Sequence, residues 1–130
     1  MRIVNRTGAA VVALAVGTGA AFAHHGWGWT LSETFILSGE IVSVYVGNPH
    51  AHLQVRTDEG VWEVDLAPPS RTTAAGFVAG VAEAGDAVIL IGNRSSNMNQ
   101  LAMKAKRVTL NGISYNVYEN DYPVDLARAD

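Results

Sequence analysis

The stretch that decides the fold spans residues 50–70, which read HAHLQVRTDEGVWEVDLAPPS. Apolar and polar residues alternate over positions 50–57 and again over positions 61–66, as they do in half-buried β-strands. The turn signal Asp58-Glu59-Gly60 separates the two runs, so the stretch predicts a β-hairpin. Its apolar face carries Ala51, Leu53, Val55, Trp62, Val64 and Leu66. Pro68-Pro69-Ser70 then predicts the start of a short helix, with Ser70 as its N-cap.

Four more strands are predicted around this hairpin, at residues 36–46, 87–91, 101–110 and 113–118. The last two flank Asn111-Gly112, the strongest hairpin signal in the chain, and residues 92–100 are expected to form a polar loop. This order of elements predicts a mainly β fold, namely a small OB-like, partly open β-barrel with one short helix between strands 3 and 4. A plain β-meander packed on one helix fits the same order.

The first 23 residues have the pattern of a secretory signal peptide. Arg2 and Arg6 form a basic start, residues 8–22 are apolar and small, and Ala21-Phe22-Ala23 offers a cleavage site. The apolar run has about 15 residues, whereas a membrane-spanning helix needs roughly 20. We therefore expect cleavage after Ala23 and a periplasmic or secreted protein without a membrane span. An uncleaved N-terminal anchor is the alternative.

The mature chain is expected to contain one small domain. Residues 24–34 would form an arm rich in His and Trp, residues 35–118 the barrel-like domain, and residues 119–130 a loose acidic tail. The chain has no cysteine, which excludes disulfides and thiolate metal sites. Loss of Arg2 and Arg6 leaves seven basic against twelve acidic residues, a net charge of −5. That charge argues against a nucleic acid as partner.

All four histidines fall in two clusters, and together they predict a metal site formed by His24, His25, His50 and His52. Cleavage after Ala23 would place a free amine beside the His24 ring, and both groups can lose a proton near neutral pH. His50 and His52 would share one strand face roughly 6–7 Å apart, close enough to hold one ion. Such a nitrogen-rich site favours copper, with zinc or nickel as alternatives. A mobile tail and a solvated strand face are the plain alternatives.

These residues predict an exported protein that binds, buffers or delivers copper, with the metal ion and a second periplasmic protein as candidate partners. The alternative is a non-metal binding module of OB-like fold for a saccharide, a peptide or a small ligand. The chain has no nucleophile elbow, phosphate loop or His-Glu-x-x-His helix, so binding is favoured over catalysis, and an oxidative copper enzyme ranks last. Glu63 and Asp65 are interpreted as exposed acids of a solvated strand face. Met103 is interpreted as a core residue.

The chain resembles a family of small exported bacterial proteins, domain-of-unknown-function family 6152, over nearly all of residues 23–118. The resemblance rests on motifs that occur in the family's order: Ala23-His24-His25, Tyr45 with Asn48-Pro49-His50, Trp62, Pro68 with Arg71 and Gly76, Gly85-Asp86, and Leu110-Asn111-Gly112. It implies export and a β-rich, barrel-like domain, and it supplies no known activity. His52 stands where the family commonly has an aromatic residue. The resemblance therefore supports His24, His25 and His50 as ligands more than His52.

Overall fold

The computed structural model describes residues 26–118. The expected signal peptide, His24, His25 and the acidic tail lie outside the described residues. Six strands and one helix follow one another as β1 (Phe35–Tyr45), β2 (His52–Thr57), β3 (Gly60–Asp65), α1 (Pro69–Ala75), β4 (Ala87–Arg94), β5 (Ala102–Leu110) and β6 (Ile113–Asn116).

The long strand β1 pairs with two neighbouring strands, β4 and β2. Its first half, Phe35 to Glu40, pairs antiparallel with β4, and its second half, Glu40 to Tyr45, pairs antiparallel with β2. A shift of register between Ile41 and Ser43 marks a β-bulge, which bends the strand and increases its twist. Because of this bend, one strand contributes to both sides of the barrel.

The barrel closes where β3 pairs with β5. This contact is parallel and matches Glu63 with Ala102, Val64 with Met103 and Asp65 with Lys104. The cycle β1–β2–β3–β5–β4, with a helix between β3 and β4, is the topology of an OB fold, and β6 extends the sheet beside β5. The sequence prediction of a mainly β, OB-like barrel with one short helix between the third and fourth strands is confirmed.

The barrel interior is filled by the alternating apolar residues that the sequence pattern identified. All six residues of the hairpin's apolar face are at most 1% exposed, and Phe77, Leu90, Met103 and Val108 are fully buried beside them. Met103 is therefore a core residue, as predicted. Since the chain has no cysteine, this core supplies the main stabilisation of the fold.

The helix and three strand boundaries differ from the sequence prediction by two residues or more. Pro68, and not Ser70, is the N-cap of α1, and Gly76 ends the helix in a left-handed conformation. The apolar stripe from Ala74 to Val81 therefore extends beyond the helix. Within residues 26–118, no helix is both long and apolar enough to cross a bilayer.

The strand β4 runs on to Arg94 where a polar loop was predicted, β2 begins at His52 instead of His50, and β6 ends at Asn116. The continuation of β4 depends on Gly92, at which its register against β5 shifts. The β5 backbone passes so close to Gly92 that an added Cβ would overlap the Lys104 carbonyl oxygen and lie 2.7 Å from the Ala105 Cα.

Replacement of Gly92 by alanine is expected to lower the free energy of unfolding by about 2–3 kcal/mol, because the crowding atoms belong to the backbone and cannot rotate away. Urea denaturation monitored by tryptophan fluorescence measures the loss. Gly28→Ala is the matched control, since an added Cβ there meets nothing within 4 Å. Equal stability of the two variants would contradict the close approach of β4 and β5.

Candidate functional site

His52 lies between two carboxylates on the outer face of the β2–β3 hairpin. Its Nδ1 is 2.8 Å from Asp65 Oδ1, and its Nε2 is 2.7 Å from Glu63 Oε1. The hairpin register creates this arrangement, because His52 lies opposite Asp65 and Glu63 lies two residues before Asp65 on the same face. Both ring nitrogens therefore face an acceptor.

The two carboxylates change the protonation of the ring. Burial alone would lower the pKa of His52, but the hydrogen bonds with Asp65 and Glu63 and their negative charges outweigh it. The pKa of His52 is consequently raised above its ordinary value of 6.5. The side chain of His52 is 29% exposed, so the ring is accessible from one side.

A strip of polar side chains continues from His52 across the neighbouring strands. Ser43 Oγ donates to Gln54 Oε1 at 2.9 Å, and Gln54 Nε2 donates to Glu63 Oε2 at 3.0 Å. Tyr45 lies opposite His52 on β1 and is 51% exposed. We call Ser43, Tyr45, His52, Gln54 and Glu63 the polar strip.

On its other side, Asp65 faces β5. It pairs in register with Lys104, and both residues are only 8% exposed. Burial lowers the pKa of Lys104, and the charge of Asp65 partly offsets this effect. The Lys104 Nζ donates to the carbonyl oxygen of Gly26 at 3.0 Å. Asp65 therefore interacts with His52 through a hydrogen bond and with Lys104 through its charge, and Lys104 holds the first described residue of the N-terminal arm.

The arm covers this end of the barrel. The ring of Trp27 packs edge-on against Tyr118 with 5.1 Å between ring centroids, and the Nζ atoms of Lys104 and Lys106 lie 4.6 and 5.1 Å from the Trp27 centroid. Trp29 Nε1 donates to the carbonyl oxygen of Gly26 at 3.1 Å. Residues 26–29 are therefore ordered against the domain, with Trp27 as the packing residue.

A second attachment holds the later part of the arm. The buried Asn93 side chain donates from Nδ2 to the carbonyl oxygens of Leu31, Ser32 and Glu33 at 2.9–3.2 Å. The Leu31 amide also donates to the Arg94 carbonyl oxygen at 2.9 Å. The arm is thus attached near Gly26 and near Ser32, and between these places the Trp29 carbonyl oxygen accepts hydrogen bonds from the Ser96 amide at 2.9 Å and from Ser96 Oγ at 3.1 Å.

The structure describes two of the four histidines that were predicted to bind a metal ion, His50 and His52. His24 and His25 lie outside the described residues, so their part of the predicted site stays a prediction. His50 precedes β2 and its Nδ1 is 3.1 Å from the Ala51 carbonyl oxygen. Within residues 26–118, no group of three or more His, Asp or Glu side chains could hold a metal ion. The described part of the chain offers His52 and Glu63 as neighbouring donors.

Sequence reasoning missed the role of Glu63 and Asp65, which it assigned to a solvated strand face. Asp65 is buried and both carboxylates contact His52. The signal was present in the hairpin, because the ladder closes with Thr57 opposite Gly60 and leaves only two residues in the loop. That register by itself places His52 opposite Asp65. Lys104 gave no comparable signal.

No family model and no curated protein matches the chain. One similar solved structure is a tRNA fluorescent labelling enzyme, with 15% sequence identity and a TM-score of 0.46, and the match covers 60% of this chain and 18% of that one. Another is the ZRD-deleted mutant of TiaS in complex with agmatine, with 14% identity, a TM-score of 0.49 and coverage of 65% of this chain and 26% of that one. A third is yeast Stn1 and Ten1, with 14% identity, a TM-score of 0.44 and coverage of 59% of this chain and 42% of that one. The matched region thus spans less than half of each of those chains. The fold assignment rests on the strand pairing itself.

Replacement of His52 by glutamine is expected to destabilise the protein by about 1 kcal/mol near pH 6. Because the pKa of His52 is raised on folding, the protonated ring contributes its full stabilisation below pH 6.5 and loses it as the pH rises through the folded-state value. The stability difference between wild type and His52→Gln should therefore shrink as the pH rises from about 6 into the alkaline range.

Chemical denaturation of both proteins across this pH range measures the effect. Ser43→Ala is the control, since it removes a neutral hydrogen bond of the same polar strip and its effect should not vary over the range. A His52→Gln difference that grows with pH would show that the carboxylates do not hold a protonated ring.

Proposed function

We propose that the protein is exported, is cleaved after Ala23 and binds a divalent metal ion, copper in the first place, for buffering or delivery. In this proposal the His24 amine and ring, His25 and His52 are ligands, Glu63 is a neighbouring carboxylate ligand, and His50 is a further candidate. The observation that carries the proposal is the hydrogen bond from Lys104 to the Gly26 carbonyl. It brings the described start of the arm to β5, next to the strand β3 that pairs with the strand of His52.

Chain geometry supports the closeness of the two histidine clusters. Gly26 directly follows His25 in sequence, and consecutive Cα atoms are about 3.8 Å apart. Asp65 pairs with Lys104 across neighbouring strands, which lie about 4.8 Å apart. His52 lies one strand further, opposite Asp65 on β2, so a histidine that precedes Gly26 has to bridge the two strand spacings from β5 to β2, about 10 Å, together with the Lys104 side chain, to reach it.

The surroundings of His52 suit a metal ligand. A ligating histidine commonly donates its other ring N–H to a carboxylate, which fixes the tautomer and the orientation of the ring. Asp65 is in position for this role at Nδ1 and leaves Nε2 for the metal. Two neighbouring ligand atoms about 2.0 Å from a square-planar Cu(II) ion are about 2.8 Å apart. The half-exposed Glu63 carboxylate oxygen is 2.7 Å from Nε2, so the two atoms would need little change in their separation to hold such an ion.

The charges also support a cation. Glu63 and Asp65 are acidic, and Lys104 is the cation that faces Asp65. When a divalent ion replaces the proton on His52, the net charge rises by about one unit, and the two carboxylates offset it. Since metal and proton compete for Nε2, binding should weaken under acidic conditions.

Titration of the mature protein with Cu(II) tests the proposal. The protein must begin at His24, verified by intact mass, and the d–d absorption band reports binding. We expect a Kd below about 1 μM and a loss of about tenfold or more in affinity on His24→Ala and on His52→Gln. Acetylation of the His24 amine should weaken binding in the same way, because it converts the amine to an amide.

Two comparisons sharpen this experiment. Arg56→Gln removes an exposed charge on the same strand face and should leave Cu(II) affinity unchanged. A free peptide of residues 24–30 should bind more weakly than the protein, because it lacks His52. Binding no tighter than micromolar, or an unaltered affinity in His24→Ala, would refute the metal proposal.

The second candidate function is a non-metal binding module that uses the polar strip. OB folds bind oligonucleotides and oligosaccharides on the face of strands 2 and 3, and the negative charge expected of the mature chain argues against the first class. The hydroxyl, amide and carboxylate groups of Ser43, Gln54 and Glu63, with the exposed Tyr45 ring beside them, suit the hydroxyl groups and the apolar face of a sugar.

This alternative predicts chemical-shift changes confined to the polar strip when neutral oligosaccharides are added in NMR titrations. Gln54→Ala should abolish the changes, and Arg71→Gln, in α1 and away from the strip, should preserve them. An unchanged spectrum at millimolar saccharide, together with tight Cu(II) binding, would decide for the metal proposal.

A further inference from the structure

Lys104 occupies an unusual place for a lysine. Lysine side chains are almost never fully buried unless they are paired, yet Lys104 is only 8% exposed. Its Nζ donates to the Gly26 carbonyl oxygen and lies 4.6 Å from the Trp27 ring centroid and 5.5 Å from that of Tyr118. A cation over aromatic rings is attracted by their π-electrons, and more strongly when water is excluded.

The contacts of Lys104 hold one particular end of the arm. Asn93 attaches the arm at residues 31–33, whereas Lys104 reaches Gly26 and Trp27, just after the two N-terminal histidines. The segment between the two attachments is bonded through Trp29, whose carbonyl oxygen accepts from the Ser96 amide at 2.9 Å. The loss of Lys104 should thus release the start of the arm and leave the attachment at Asn93 in place.

We propose that Lys104 is a positioning residue that seats the start of the N-terminal arm on β5, next to the strand that carries Asp65, so that arm docking and metal binding strengthen each other. The seating is a property of the described residues alone, and the coupling to metal rests on the proposed function. If docking raises metal affinity by some factor, metal raises docking by the same factor.

Amide hydrogen exchange on the metal-free protein tests the seating. The Thr30 amide donates to the Trp27 carbonyl oxygen and the Ser96 amide to that of Trp29, so both report on the first part of the arm. In Lys104→Met we expect these two amides to exchange about tenfold faster. The Leu31 amide, held by the Arg94 carbonyl oxygen, should keep its rate and shows that the barrel is still folded.

Two variants make the comparison specific to Lys104. Lys106→Met removes the same charge from beside the same Trp27 ring and should leave Thr30 exchange near the wild-type rate. Lys104→Arg keeps a cation and donor groups at the site, so its Thr30 exchange should lie between those of wild type and Lys104→Met. Unchanged Thr30 and Ser96 exchange in Lys104→Met, or an equal effect of Lys106→Met, would overturn the seating.

Cu(II) titration of the same variants tests the coupling. We expect Lys104→Met to bind Cu(II) about five- to tenfold more weakly and its d–d band to move towards that of the 24–30 peptide, as in His52→Gln. A merely structural role would not change the ligand set and would leave the band in place. Lys106→Met should keep the wild-type band.

Hydrogen exchange and Cu(II) titration together show whether the seating, the coupling or the proposed function is wrong. Faster arm exchange in Lys104→Met with unaltered Cu(II) affinity and band would overturn the coupling, while the wild-type titration still supports the proposed function. A wild-type protein that does not bind Cu(II) would refute the proposed function and the coupling with it. The exchange data on the metal-free protein would then decide the seating on their own.

Discussion

The parallel contact between β3 and β5 is the constraint on which the rest of the structure depends. It joins only three residue pairs, yet it turns a curved sheet into a barrel and encloses the core residues Val64 and Met103. Parallel pairing requires a long connection between the two strands, and α1 and β4 are contained in that connection. The same contact pairs Lys104 with Asp65 on the outer face of the sheet. The candidate site therefore forms when the barrel closes.

Asp65 is the electrostatic centre of this outer surface. A buried carboxylate is costly unless it is paired and hydrogen-bonded, and Asp65 has His52 on one side and Lys104 on the other. Lys104 is buried by Trp27 and Tyr118, and it in turn needs the Gly26 carbonyl and the charge of Asp65. Each group therefore lessens the desolvation cost of its neighbour, which explains how two charged residues are tolerated at 8% exposure.

The fold could be predicted from the sequence because its signals are local. The alternation around Leu53 and Val64 marks the barrel interior, and Asn111-Gly112 marks a hairpin whose two turn residues both have positive φ. The prediction failed where a boundary depends on a distant strand. The residues of β4 after Ile91 look like a loop in sequence, but they pair with β5 through the close approach at Gly92.

The candidate site could be predicted only in part. The sequence drew attention to His52, and the two-residue hairpin loop fixes its carboxylate partners, although the acids were interpreted as solvated. Lys104 could not be found in the same way. It becomes a neighbour of Asp65 only through the parallel pairing of β3 with β5, and the two residues are 39 positions apart in the sequence. Nothing in its local pattern distinguishes it from Lys106.

The position of the arm gives the proposed site a specific dependence on processing. An amide nitrogen is a far poorer metal ligand than a free amine, since ligation requires a nitrogen that can release its proton near neutral pH. A chain that still carries residues before His24 would therefore have the barrel, His52 and the docked Trp27, but not the amine. Because Lys104 holds Gly26 through a backbone carbonyl, the docking itself does not require a free N-terminus. In the proposed function, folding would prepare the surface and cleavage would then complete the ligand set, which ties metal binding to a protein that has already been exported.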